Sequence, residues 1–364
     1  MLVLGAVLAP FVGRGSASIV RAAALPTIPC SPSVLKVFSG YNADVAPVRE
    51  VSATWVVPKI ATHSGGSQAA TWIGMKAAAH GQTESFVQEG TLERVHTTGN
   101  PAAHGYEAFW SSTLHHDSEQ KLFSVSPGNT IVTNLVRSAS GVAVTISDVD
   151  TGTHAHVVAP VSATVVFTRA SWLQEDPSTG CSEGVYPRTS PVTFQDVEVN
   201  GAAPTLSDQD ATIMFTPNNV ILVPTHFSND AFTVRSPTGI EKRYLKDVAR
   251  EVVLWIPFLS EAQHASTKGT KLTGPTDRSL ALTTAHQLEA SLDGLRRNLL
   301  RQHWPAGVRH LVTRLARQSA RVVKLLGAEA REAARGRVWG LTELLPPIHK
   351  ELVLSTRIGL KFGV

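Results

Sequence analysis

The chain has 364 residues, of which 43% are hydrophobic and 17% charged, and this excludes wholesale disorder, which needs low hydrophobicity and high net charge. The net charge of +4 is unevenly spread: +3 over residues 1–36, −9 over residues 37–236 and +10 over residues 237–364. Two cysteines, Cys30 and Cys181, permit one disulfide at most, which excludes a disulfide-stapled scaffold and a zinc site built from cysteine alone.

At the N-terminus, Leu2–Val12 is an apolar stretch of signal-sequence length, followed by the small-residue runs Ser16-Ala17-Ser18 and Ala22-Ala23-Ala24. It lacks a basic leading segment and falls short of the about 20 apolar residues that a membrane-spanning helix needs. The expectation is a secretory signal over 1–26, a linker over 27–36 and a secreted, extracellular protein. In an oxidising compartment Cys30 and Cys181 either pair or remain free.

From residue 37 the pattern becomes one of short β-type runs. Ser52–Val57 is β-branched and aromatic and stops at Pro58. Ala69–Met75, Glu84–Gln88, Tyr106–Trp110, Lys121–Val125, Thr130–Arg137, Val142–Asp148, Thr153–Val158, Ala163–Thr168 and Ser171–Gln174 follow. Val192–Val199, Ala211–Phe215, Val220–Val223 and Ala231–Val234 complete the series, with turns at Ser126-Pro-Gly-Asn129 and Asp150-Thr-Gly152. This spacing predicts an all-β, antiparallel sandwich. Past residue 240 the period changes to a helical one, with helices expected over Ser279–Gln302 and Val308–Ala334, separated by Pro305; Pro346-Pro347 is expected to stop the last one. In the second helix Leu311, Leu315, Val322 and Leu326 lie on one face, and Arg314, Arg317, Arg321 and Lys324 on another.

Seven ordered strings within residues 37–236 carry a family resemblance. They are Phe38-Ser-Gly-Tyr41, Ala53-Thr-Trp-Val-Val-Pro58, Thr71-Trp-Ile-Gly74, Phe86-Val-Gln-Glu-Gly90, Tyr106-Glu-Ala-Phe109, Val125-Ser-Pro-Gly128 and Ala170-Ser-Trp-Leu-Gln-Glu175. In order and spacing this region resembles the glutamic peptidases (eqolisins, peptidase family G1, A4-like). The resemblance implies a concanavalin-like sandwich of two packed antiparallel sheets with a substrate groove on its concave side. It also implies a catalytic pair, Gln88 and Glu175, and groove positions at Phe38, Trp72, Lys76, Tyr106, Phe109 and Trp172.

The pair suits peptide hydrolysis. A carboxylate can take a proton from water and return it to the leaving amine. A primary amide can donate a hydrogen bond to the developing oxyanion. Such a pair needs no metal or cofactor. Alternation places Ser171, Leu173 and Glu175 on one strand face and Trp172 on the other. An enzyme of this kind is expected to work best in acid, unless burial raises the pKa of its carboxyl group. The chain departs from the family pattern at Phe38 and Phe109, where tryptophan is usual, at Lys76, where aspartate is usual, and at Ser111, where an acid is lost. The reading is therefore an acid-active endopeptidase acting on protein or peptide, against the alternative of a non-catalytic sandwich that binds peptide or glycan in the same groove.

The fourteen histidines, densest at His115-His116 and His154-x-His156, form no recognisable metal motif, and no Gly-x-Ser-x-Gly marks a serine nucleophile. The basic C-terminal helices suit a membrane surface, a nucleic acid or a partner helix. The sharper expectation is that they dock on the acidic β region of the same chain, with no nucleic acid partner and a monomeric state.

Overall fold

The structure is a computed structural model that describes residues 37–61, 68–77, 85–94, 105–113, 116–177, 186–207, 209–215, 221–239, 241–242, 244–245, 275–304, 306–334, 347, 350–351, 354 and 358. The expected signal segment, the linker, both cysteines and His115 lie outside the described residues, as do the chain on either side of Pro347 and the expected helix stop there. Two compact units are present, one within residues 30–239 and one within 240–362.

The first unit is built from strands. In chain order they are β1 (Phe38–Asp44), β2 (Glu50–Val56), β3 (Gln68–Ala77), β4 (Phe86–Arg94), β5 (Gly105–Ser112), β6 (His116–Ser124), β7 (Thr130–Arg137), β8 (Gly141–Asp148), β9 (Thr153–Pro160), β10 (Phe167–Glu175), β11 (Val192–Val199), β12 (Ala211–Thr212), β13 (Met214–Phe215), β14 (Ile221–Pro224) and β15 (Phe232–Arg235). They form a seven-stranded sheet, β12-β1-β10-β3-β4-β5-β6, and an eight-stranded sheet, β13-β14-β15-β11-β2-β7-β8-β9. Among the described residues the strand pairings within both sheets are antiparallel. The expected antiparallel sandwich is what forms, and the run expected at 211–215 is divided between its two sheets as β12 and β13. Phe38–Asp44 is a strand of its own, and the two runs expected at 163–168 and 171–174 are one strand, β10, kinked by a register shift between Phe167 and Arg169.

Alternation explains the core. Val51, Ala53 and Trp55 of β2, Ile131 and Leu135 of β7, and Phe194 of β11 face Tyr41, Ile73, Met75, Val87 and Trp172 of the other sheet, and all are buried. Phe194 stacks on Phe232 and packs beside Trp55. Trp172 is fully buried and its Nε1–H donates to the Ser52 carbonyl at 2.9 Å, tying β10 of one sheet to β2 of the other. We expect Trp172→Ala to destabilise this unit by about 3–5 kcal/mol, through lost burial, a cavity and an unpaired carbonyl. A denaturant melt that moved by less than about 1 kcal/mol would contradict this role.

The second unit contains α1 (Pro275–Arg301) and α2 (Ala306–Ala334). Each begins a few residues earlier than its hydrophobic period suggests, α1 with Pro275 in the first turn, where a missing N–H costs nothing. Leu311, Leu315, Val322 and Leu326 of α2 are buried, as are Leu288, Leu292, Leu295 and Leu299 of α1. Arg314, Arg317, Arg321 and Lys324 are exposed.

Candidate active site

The outer face of the seven-stranded sheet is a grid whose rows are fixed by register. One row runs Asn42–Ser171–Gly74–Gln88–Ser111 across β1, β10, β3, β4 and β5. The next runs Gly40–Leu173–Trp72–Gly90–Phe109, and the third Phe38–Glu175–Ala70–Leu92–Glu107. Gln88 and Glu175 therefore share a face, on strands separated by β3, and Trp72 occupies the row between them. Parity alone requires this: Ala70, Trp72 and Gly74 alternate with residues that point into the core.

Glu175 ends β10. Its Oε2 accepts a hydrogen bond from Trp72 Nε1–H at 2.7 Å. Burial pushes its carboxyl up to about 7; the Trp72 hydrogen bond opposes this, and the charges of Glu119 and Asp176 add to it. The cause of that burial is visible in the grid. Trp72 packs edge-on against Phe38 on one side (centroids 6.0 Å apart) and Phe86 on the other (5.4 Å). Trp72, Leu92, Phe109, Leu173 and Ala70 form a second apolar cluster, on the outside of the sandwich, with Phe86 against it.

The glycines make room for this cluster. A Cβ on Gly90 would fall 2.1 Å from the Thr71 carbonyl oxygen and 2.6 Å from Trp72 Cβ, and one on Gly74 would fall 2.8 Å from the Phe86 ring. Both faces of β3 are thereby covered, which is why Ala69–Met75 reads as a continuous apolar run rather than an alternating one.

Gln88 Nε2 donates to Ser111 Oγ at 2.8 Å. Its Oε1 is buried and has no hydrogen-bond partner among the described residues. The amide is thus held with its oxygen inward, and one N–H remains for a ligand.

Of the groove positions expected from the sequence, Phe38, Trp72, Lys76 and Phe109 lie on this face. Phe38 is directly opposite Glu175 and 36% exposed, so it forms an accessible wall beside the carboxylate. Lys76 is paired in register with Phe86 and Arg169, one row beyond Gly74. Phe109 is buried in the apolar floor. Two expected positions are not there. Trp172 points into the core between the sheets, as its even position on β10 demands. Tyr106 packs against that same core, and its hydroxyl accepts the Ile60 backbone N–H at 3.1 Å. Both are structural residues rather than groove residues. Alternation had put Leu173 on the face of Glu175 without assigning it to the groove, and Leu92, which shares its phase with Gln88, was missed as a floor residue. His154 and His156 are exposed on β9, and among the described residues no three potential ligands gather to hold a metal.

The opposite, inward face of β4 carries Glu89 and Glu93, both fully buried. The backbone of Asn134 approaches the Glu89 carboxyl, and Glu93 Oε1 accepts from Thr91 Oγ1 at 2.8 Å. Burial raises both well above the ordinary carboxyl range.

The profile of the Peptidase A4 family matches residues 36–236. A crystal structure of scytalido-glutamic peptidase with a transition state analog inhibitor is similar at 19% identity, with a TM-score of 0.44, over 56% of this chain and 100% of that one. A second, of scytalido-glutamic peptidase with a peptide based transition state analog, is similar at 19% identity and a TM-score of 0.45, with the same coverage. No curated protein matches.

Proposed function

The chain belongs to the Peptidase A4 family over residues 36–236, and from that premise we propose that it is an endopeptidase that uses Gln88 and Glu175. In this reading the Glu175 carboxylate takes a proton from a water molecule, whose oxygen attacks the scissile carbonyl carbon. The carbonyl oxygen becomes an oxyanion and accepts a hydrogen bond from Gln88 Nε2. Glu175, now protonated, delivers that proton to the amide nitrogen. The C–N bond breaks, the amine leaves and the carboxylate is restored. Trp72 orients the carboxylate through the Oε2 hydrogen bond, which leaves Oε1 as the oxygen that handles the proton.

The observation that carries this reading is the shared face. Among the described residues of that face, the carboxylate flanked by an exposed aromatic and a buried indole N–H donor lies on one diagonal with an amide that has an N–H to donate, two strands and two rows away with Trp72 between them. The apolar floor around Trp72 and Leu173 favours substrates that present an apolar side chain beside the scissile bond.

The test is cleavage of an unfolded protein substrate by the wild type, Gln88→Ala and Glu175→Ala, each confirmed as folded. Cleavage by the wild type alone supports the reading. A wild type that binds peptide or glycan without cutting would instead establish a non-catalytic groove. Ser111 gives a finer prediction. Ser111→Ala should lower kcat about tenfold with KM nearly unchanged, because the amide loses its anchor rather than its substrate contacts, while Ser111→Thr, which keeps the hydroxyl, should hold kcat near wild type. Equal kcat values for Ser111→Ala and wild type would remove Ser111 from the machinery.

A further inference from the structure

Helix α2 carries a run of exposed cations. From Ala306 to Ala328 it contains Arg309, Arg314, Arg317, Arg321 and Lys324, with His310, and no acidic residue. All six are exposed. The neighbouring helix treats its cations differently: Arg296 and Arg297 of α1 both pair with Asp293, at 3.0 and 2.7 Å. For Arg314, Arg317, Arg321 and Lys324 there is no ion pair among the described residues.

This arrangement costs helix stability. Like charges three and four residues apart repel, and Arg309 in the first turn opposes the helix dipole, with no acid in that turn to offset it. At 100° per residue, His310, Arg314, Arg317, Arg321 and Lys324 occupy about a quarter of the helix circumference, in a row roughly 21 Å long. The opposite side is spent on packing, through Val308, Leu311, Leu315, Val322 and Leu326.

We propose that the row Arg314–Arg317–Arg321–Lys324 is a docking surface for an anionic phospholipid bilayer. The choice of partner follows from shape and charge. The row is straight and one-sided, so it meets a plane with every cation at once, whereas a helix lying in a nucleic-acid groove would present cations to both phosphate walls. No helix among the described residues is long and apolar enough to cross a membrane, and the apolar face of α2 is already buried, so the attachment is peripheral and electrostatic. Clustered Lys and Arg on a helix face bind anionic headgroups in this way, additively and with strong screening by salt.

The experiment uses the full chain and sedimentation with vesicles of phosphatidylcholine alone or mixed with phosphatidylserine. Binding should require phosphatidylserine and should be lost on raising the salt from about 0.05 to about 0.5 M. The variant with Arg314, Arg317, Arg321 and Lys324 all changed to Gln, which keeps helix-forming side chains, should bind on the order of 10²-fold more weakly. Changing Arg296 and Arg297 to Gln, where the charges are already paired, should leave binding within about twofold. Circular dichroism and a thermal melt confirm folding of each variant. The proposal is overturned if the wild type ignores phosphatidylserine, if the quadruple variant binds as well as wild type, or if duplex DNA displaces the protein from the vesicles at equal charge concentration.

Discussion

Glu175→Gln should lower kcat/KM by at least about 10³-fold, and Gln88→Ala by about 10²–10³-fold, and both variants should retain the wild-type melting curve at acid pH. The two losses have different origins. Gln at position 175 keeps the shape and can still accept from Trp72 Nε1, but it cannot take a proton from water. Ala at position 88 removes a donor whose worth is realised only as the oxyanion forms. The pH profile then separates this mechanism from a generic carboxylate effect. A general base must be ionised in the free enzyme, so kcat/KM follows the ionised fraction of Glu175. Because burial raises that group to about 7, kcat/KM should be half-maximal near pH 7 and fall tenfold per unit below it. This moves the activity well above the acid optimum that an ordinary carboxyl group would give. Trp72→Phe removes the one hydrogen bond that favours the ionised form, so the limb should shift to higher pH. Steady-state kinetics between pH 3 and pH 8 (roughly the range set by carboxyl groups from solvent to burial) decide it. A maximum near pH 4 that survives Glu175→Gln, or a limb that moves down in Trp72→Phe, would sink the assignment.

The second large effect concerns the fold rather than the chemistry. Glu89 and Glu93 are carboxyls sealed between two sheets, and burial raises both pKa values well above the unfolded value of 4.5. The sign is set by proton counting. Below the unfolded pKa both states are protonated and there is no penalty. Above it the unfolded chain releases protons that the folded chain keeps, so stability falls as pH rises until the folded pKa is reached. Each group contributes a slope of about 1.4 kcal/mol per pH unit, and the two together about 2.7. For a unit of this size the melting temperature should drop by about 5–10 °C per unit above pH 5. Replacing both residues by Gln, which resembles the protonated acid in shape and carries no charge, should flatten the curve. Melting temperatures that run parallel for the wild type and the double variant as the pH is raised from the unfolded carboxyl value of 4.5 would refute it. Acid protonates Glu175 and rising pH weakens the sandwich, so activity should be greatest between the two effects.

The runs flanked by Gly, Pro and Asn marked most strands, because a half-buried pleat imposes alternation and turns impose their own residue types. Gln88 and Glu175 were legible because each sits in a short string of constrained neighbours. Alternation even placed Trp172 on the opposite side of β10 from Glu175, and the structure follows that phase rather than the expectation that Trp172 lines the groove. Tyr106 fails as a groove residue for the same reason, since its parity matches the core-facing Glu93 with which it pairs.

What sequence could not supply is whatever depends on register between strands far apart in the chain. Nothing in local pattern says that Trp72 donates to a carboxylate 103 positions away, or that Ser111 is the hydroxyl beneath Gln88. Nor does it say that Glu89 and Glu93 are buried, since a charged residue in an alternating strand is ordinarily taken to face water. By itself the sequence determined the strand and helix periods, the two candidate catalytic residues and the unbalanced charge of α2, because these are properties of adjacent side chains. The tertiary structure alone decided which carboxyls lose their water and which aromatic rings surround Glu175, because desolvation is set by the second layer of neighbours that packing brings in.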